Sequence, residues 1–282
     1  MNVSGDGGVR LAVRIHDRPG PTAPGLLLHH GLASSQRIWD LMLPRLTRRF
    51  HVVTYDARGH GLSAKPSRAY GFEPLVADAL AVLRGTGLRR PLVAGHSLGA
   101  MVALELAARH PRSPLGAALV DGGLSSLRAS MDWPTARERL APPHLAGMPV
   151  EEFRGTIRTF LGEAVEVTPQ VEEIVLSVMR VDRRGRITPR LSRANHFRIL
   201  RAIWLLDPDA ALARLSVPTL AVLARAGGDP DGDGRKRADA QRVRRSGAPV
   251  RLTWLEGIHD LPLQHPDALA RRIERFAGQL VR

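Results

Sequence analysis

Apolar residues in the first 120 positions gather into short runs rich in β-branched and leucine side chains at 11–15, 25–29, 52–55, 92–94 and 117–120. Between them lie stretches of ten or more residues with helical spacing, at 35–49, 74–84 and 98–110. The last carries Ala100, Met101, Ala103, Leu104 and Ala107 and is ended by His110-Pro111. Strand and helix alternating in this way predict βα units feeding a mostly parallel sheet. The rhythm resumes late, with strands expected at 219–224 and 250–255, an arginine-rich polar helix between them, and a closing helix over 266–280.

The stretch from 124 to 215 breaks the alternation. It has helical patterning around 150–161, 171–179 and 193–206 and few strand signals, and Pro134, Pro142, Pro143 and Pro149 mark an irregular entry. The expected organisation is an α/β core from 1–123 and 216–282, interrupted by a helical cap or lid at 124–215.

Composition narrows the class without choosing a function. Hydrophobic residues make up 44% and charged residues 24% of 282 positions, and no apolar run is long enough to span a bilayer, so a soluble chain is expected. The N-terminus lacks a basic segment followed by an apolar stretch, and the expected address is cytoplasmic. Without cysteine, disulfides, thiolate metal sites and a Cys nucleophile are all excluded. The formal charge of +14 is spread over nearly every segment, which favours composition over a selected nucleic-acid patch. The densest stretch holds Arg180, Arg183, Arg184, Arg186, Arg190, Arg193, Arg198 and Arg201. It reads as a solvated face, with docking of an acidic carrier protein or an anionic substrate as the alternative.

The chemistry centres on Gly95-His96-Ser97-Leu98-Gly99, set between the apolar run 91–94 and the helix-like run 98–110. A strand, a sharp turn and a helix in that order present the serine hydroxyl at a helix N-terminus, where free N–H groups favour a developing oxyanion. The pentapeptide alone is weak, and its flanking strand and helix give it force.

With these residues the chain resembles the α/β-hydrolase family of serine hydrolases, and three further segments match in order. His29-His30-Gly31-Leu32 resembles the family's His-Gly loop, which implies that Leu32 and Leu98 offer the two oxyanion-hole N–H groups. The histidine pair then shapes the loop rather than moving protons. Asp56-Ala57-Arg58-Gly59-His60-Gly61-Leu62-Ser63 resembles the family's Asp-x-Arg-Gly-x-Gly-x-Ser turn, a scaffold feature in which Arg58 pairs with Asp78. Gly257-Ile258-His259-Asp260, after the last strand, resembles the loop that delivers the general base, implying His259; His265 is the competitor. The resemblance places the cap between the family's sixth and seventh strands. It also implies an acid after the strand at 219–224, for which Asp229 ranks first, with Asp231 and Asp233 nearby. Some relatives carry the acid one strand earlier, which selects Asp121 second.

Residues 229–234 also match the start of an EF-hand loop, but Ala240 stands where the bidentate carboxylate belongs. No metal or cofactor is therefore expected. The implied reaction is hydrolysis of an ester, thioester or lactone of a small-molecule acyl substrate through an acyl-enzyme. Alternatives are haloperoxidase-like perhydrolysis, carbon–carbon bond hydrolysis, or a ligand-binding protein that does not turn over. No specific nucleic-acid or membrane partner is expected. Met131, Trp133, Phe153, Phe160 and Trp204 are candidates for an acyl pocket or for ordinary core.

Overall fold

The fold is seen in a computed structural model that describes residues 1–16, 19–227 and 230–280. Ten strands and twelve α-helices occur among the described residues. The strands are β1 (Asn2–Ser4), β2 (Arg10–Ile15), β3 (Gly25–His29), β4 (His51–Tyr55), β5 (Leu92–His96), β6 (Gly116–Val120), β7 (Met179–Val181), β8 (Ile187–Pro189), β9 (Thr219–Arg225) and β10 (Val250–Glu256). Eight of them form one sheet in the order β1-β2-β4-β3-β5-β6-β9-β10. From β4 onward every pairing is parallel, and β1 and β2 add an antiparallel edge.

Parallel strands covered on both faces read as unbroken apolar runs, and alternate side chains then serve opposite layers. Leu27, Val93, Ala117, Leu119, Ala221 and Leu223 enter one core. Their neighbours Leu26, Leu28, Leu92, Ala94, Ala118, Val120, Leu220 and Val222 enter the other. The first layer is closed by α2 (Phe72–Thr86) and α3 (Leu98–Arg109), the second by α1 (Leu43–Leu46) and, at the end of the chain, α12 (Pro266–Leu280). Each fully buried leucine contributes about 1.5–3 kcal/mol over its exposed state, so the two layers dominate the stability of the sheet.

Between β6 and β9 lie α4 (Leu127–Ser130), α5 (Trp133–Arg139), α6 (Val150–Leu161), α7 (Pro169–Leu176), the antiparallel hairpin β7–β8, α8 (Arg193–Leu205) and α9 (Pro208–Arg214). This segment has a small core of its own, built on Phe153, Ile157, Met179 and Ile187. After β9 come α10 (Pro230–Ser246), β10, and α11 (Leu261–Gln264), the turn that leads into α12. No described helix is long and apolar enough to cross a membrane.

The span 35–49, expected as one helix, is instead a 3-10 turn at Gln36–Trp39 followed by α1. Ser35 caps the turn by accepting from Arg37 N, and Pro44, which has no N–H to donate, opens α1.

Candidate active site

Ser97 sits between β5 and α3 with φ 55° and ψ −114°, outside the usual backbone regions for a residue with a side chain. Such a conformation costs on the order of 1–3 kcal/mol and persists only when its surroundings enforce it. Here the enforcement is steric and hydrogen-bonded. The Ser97 amide donates to Val120 O at 2.9 Å, and its carbonyl accepts from Ala100 N at 3.0 Å. A Cβ on Gly95 would run into the Gly99 carbonyl, and one on Gly99 into the carbonyls of His29 and His30, so both positions must lack a side chain. Leu98 is the first residue of α3, and its N–H has no preceding helical carbonyl to meet, leaving it available to an oxyanion.

The loop after β3 lies directly on this corner. A Cβ on Gly31 would sit 3.2 Å from Ser97 Cβ and 3.4 Å from His96 Nδ1, so the loop at Gly31 packs closely against Ser97. Buried histidines fix the loop. His30 Nε2 accepts from Ala57 N at 3.0 Å, so its proton is on Nδ1, which donates to Gly31 O at 2.7 Å. His29 Nδ1 donates to His30 O at 2.8 Å, and His60 Nε2 accepts from Ala33 N at 3.3 Å. Burial, the largest influence on each, pushes His29 and His60 down to about 4 and His30 well below its ordinary value. These rings are neutral scaffold.

The turn after β4 is scaffold as well. Arg58, almost fully buried, makes a two-pronged pair with Asp78 at 2.6 and 2.7 Å, as its place in the turn suggested. Asp56 accepts from the amides of Gln36 and Leu62 at 2.9 and 2.8 Å.

His259 stands in the loop after β10. Its ring lies 4.7 Å from that of His96, the residue next to Ser97, and its backbone carbonyl accepts from His96 Nε2 at 2.9 Å. Its Nδ1 meets Asp121 Oδ2 at 2.7 Å. An ionised carboxylate only accepts, so the proton is on Nδ1 and Nε2 keeps a lone pair. The His259 side chain is 53% exposed while that of Asp121 is 2% exposed, so the imidazole can be reached from solvent and the carboxylate cannot. Burial alone would lower the His259 pKa; the hydrogen bond and charge of Asp121, with that of Asp260, reverse this and leave it raised above 6.5. For Asp121 burial pushes upward, but His259 and Lys236 outweigh it and hold the carboxyl below its ordinary value.

Asp229, ranked first as the acid, lies outside the described residues. The carboxylate on His259 is Asp121, which follows β6 in a left-handed conformation (φ 43°) and also accepts from Ala224 N at 2.8 Å. Asp233 is in α10 and accepts from Ala226 N at 3.4 Å. His265 begins the run into α12 and is not brought to Asp121. Lys236, whose ammonium lies 2.8 Å from Asp121 Oδ1, was not singled out by sequence reasoning, although it is one of only two lysines in the chain.

The five aromatic and methionine candidates separate. Phe153 is buried in the small core of the segment that links β6 to β9, whereas Phe160 is 79% exposed. Trp133 and Trp204 meet edge to face at 6.1 Å with Arg201 stacked over both, and Trp204 Nε1 donates to Met131 O at 2.9 Å.

A mostly parallel sheet with helices on both faces, a strained serine where a central strand enters a helix and an imidazole–carboxylate pair beside it defines the class of α/β hydrolases. Residues 26–272 match the model of the alpha/beta hydrolase family, and the chain belongs to that family. Among named relatives it is 31% identical over 102 residues to the 2-(acetamidomethylene)succinate hydrolase of Mesorhizobium japonicum, covering 36% of each chain. It is 31% identical over 131 residues to a non-heme haloperoxidase of Rhodococcus erythropolis, covering 46% of this chain and 44% of that one. These matches span less than half the length of either relative. A crystal structure of E-2-(acetamidomethylene)succinate hydrolase shares the fold with a TM-score of 0.79 at 20% identity, over 99% of this chain and 98% of that chain. A hydrolase from Pseudomonas aeruginosa PA01 is 26% identical with a TM-score of 0.75, over 99% and 98% of the two chains.

Proposed function

We propose that this protein is a serine hydrolase that cleaves an ester, thioester or lactone through an acyl-enzyme. Ser97 attacks the acyl carbonyl, His259 Nε2 takes the hydroxyl proton and returns it to the leaving group, and Asp121 holds the imidazole in the tautomer that permits this. The amides of Leu32 and Leu98 receive the oxyanion, and a water activated by His259 then releases the acid. The observation that carries the reading is the His259 Nδ1 to Asp121 Oδ2 hydrogen bond of 2.7 Å, made by residues whose chain is tied to the strained Ser97 turn through His96 Nε2 to His259 O and Ser97 N to Val120 O. Acyl transfer is what such a trio performs on a weak nucleophile. The raised pKa of His259 favours it as the acid in the second half of each step.

The test is turnover of p-nitrophenyl acyl esters of graded chain length, with mass-spectrometric mapping of fluorophosphonate labelling. Labelling at Ser97 and loss of activity in Ser97→Ala, on the order of 10⁶-fold in kcat, support the assignment. Labelling at another serine, or tight ligand binding with no turnover of any acyl ester, contradicts it.

A further inference from the structure

Of 41 basic residues only Lys65 and Lys236 are lysines, and both ammonium groups sit where compact geometry is required. Lys65 Nζ donates to Gly61 O and Ser63 O at 2.9 and 2.7 Å, inside the turn built on Asp56. Lys236, on α10, reaches back to the C-terminal end of β9. There it donates to Ala224 O at 2.9 Å and lies 2.8 and 3.0 Å from the two oxygens of Asp121. The helix that follows β9, the strand after which the acid was expected, thus brings a cation onto the carboxylate supplied by β6.

An ammonium has three donors around one compact centre and can meet the two Asp121 oxygens and the Ala224 carbonyl together. The planar fork of arginine, used almost everywhere else in this chain, is larger and directs its donors in one plane. We propose that Lys236 is a positioning residue of the active site: it pins the Asp121 carboxylate in the orientation that faces His259 and shares its negative charge with the imidazole. This rests on the reading of Ser97, His259 and Asp121 as nucleophile, base and orienting acid.

Asp121 follows its strand in a left-handed conformation, and its side chain is nearly sealed from water, so its orientation depends on its partners. Ala224 N holds Oδ1 and His259 holds Oδ2; Lys236 bridges both oxygens and ties them to the end of β9. The titratable groups facing His259 are Asp121 from β6, Asp260 in its own loop, the neutral His96 from β5 and Lys236 from α10. Lys236 opposes the two carboxylates and draws the imidazole pKa down. Elsewhere on α10, Asp239 meets Ser125 and Arg242, while Arg235 and Arg237 are exposed. On β9, Arg225 pairs with Glu256. Removing Lys236 therefore has two separable effects: the carboxylate loosens, and the base becomes harder to deprotonate.

The experiment compares wild type with Lys236→Met and Lys236→Arg. It reads the pH dependence of kcat for p-nitrophenyl acetate and the titration of the His259 ring by NMR of protein labelled at histidine Cε1, assigned with His259→Gln. Lys236→Met is expected to lower kcat about 10- to 100-fold, the range of a misplaced catalytic group, with KM within about twofold. Its His259 midpoint and the acid limb of kcat both move to higher pH. Lys236→Arg is expected to restore the midpoint and only part of the rate. Because the titration is read on folded protein, lost stability alone does not imitate it. An unmoved His259 midpoint in folded Lys236→Met overturns the proposal, as does unchanged kcat. Fluorophosphonate labelling of wild-type Ser97 tests the underlying triad separately, so failure of that reading is distinguishable from failure of the lysine clamp.

Discussion

Replacing Asp121 by asparagine keeps the shape of the side chain and removes its charge. In the proposed mechanism the carboxylate stabilises the imidazolium that forms as His259 takes the serine proton. Two unit charges about 4 Å apart interact by about 4 kcal/mol at an effective dielectric of 20. Half of the His259 side chain faces water, and screening reduces this to about 2 kcal/mol, or roughly 30-fold in rate. The amide can also donate to Nδ1, which puts the imidazole proton on Nε2 and leaves no lone pair for the serine. The combined loss is therefore on the order of 10³- to 10⁴-fold in kcat, the size known for such a change in a serine protease. Lys236 would be left beside a neutral group, so a loss of stability of about 1–3 kcal/mol accompanies it. Steady-state kinetics on p-nitrophenyl acetate, run beside Asp229→Asn as a control, measure the effect. Asp229→Asn is expected to stay within about threefold of wild type. Asp121→Asn within tenfold of wild type, or a large loss in Asp229→Asn, refutes the assignment of the acid.

Four further outcomes follow from the same geometry. Because the proposed mechanism needs a neutral His259 and its pKa is raised, kcat/KM should fall as pH drops through a midpoint above 6.5, measured as a pH–rate profile. In stability the sign is opposite for the base: a raised folded pKa contributes fully below 6.5 and is lost as pH rises through it, whereas Asp121, held low, contributes above 3.8 and is lost as pH falls through its lowered value; denaturation midpoints across pH read both. Gly99→Ala drives a methyl group into two backbone carbonyls, and a loss of about 3 kcal/mol or more, roughly 6–12 °C in Tm, is expected by calorimetry. Asp78→Asn leaves the Arg58 guanidinium buried without its carboxylate and should cost about 3–5 kcal/mol in chemical denaturation.

The central strands were legible because burial on both faces makes them continuous apolar runs, and the elbow because a strand, Gly95 to Gly99 and a helix occur in immediate succession. β1, β7 and β8 were not: each is three residues long, too short to display a period of two against the surrounding polar positions. The choice between Asp121 and Asp229 has a geometric cause. β6 and β9 are adjacent in the sheet, so acids following either strand point toward the same end of the molecule, and chain order does not separate them. Lys236 carried a compositional trace, a lysine kept amid arginines, whose meaning depends on α10 folding back against β9. The aromatic candidates had helical spacing, which cannot tell a helix face turned to the cleft from one turned to a local core, as Phe153 illustrates.

The most direct test of the central claim is a crystal structure of the protein reacted with an alkyl fluorophosphonate, which mimics the tetrahedral intermediate. The account predicts phosphorus bonded to Ser97 Oγ, its oxygen about 3 Å from the amides of Leu32 and Leu98, and His259 Nε2 facing the leaving-group side. An adduct on another residue, or one whose oxygen points away from both amides, contradicts it.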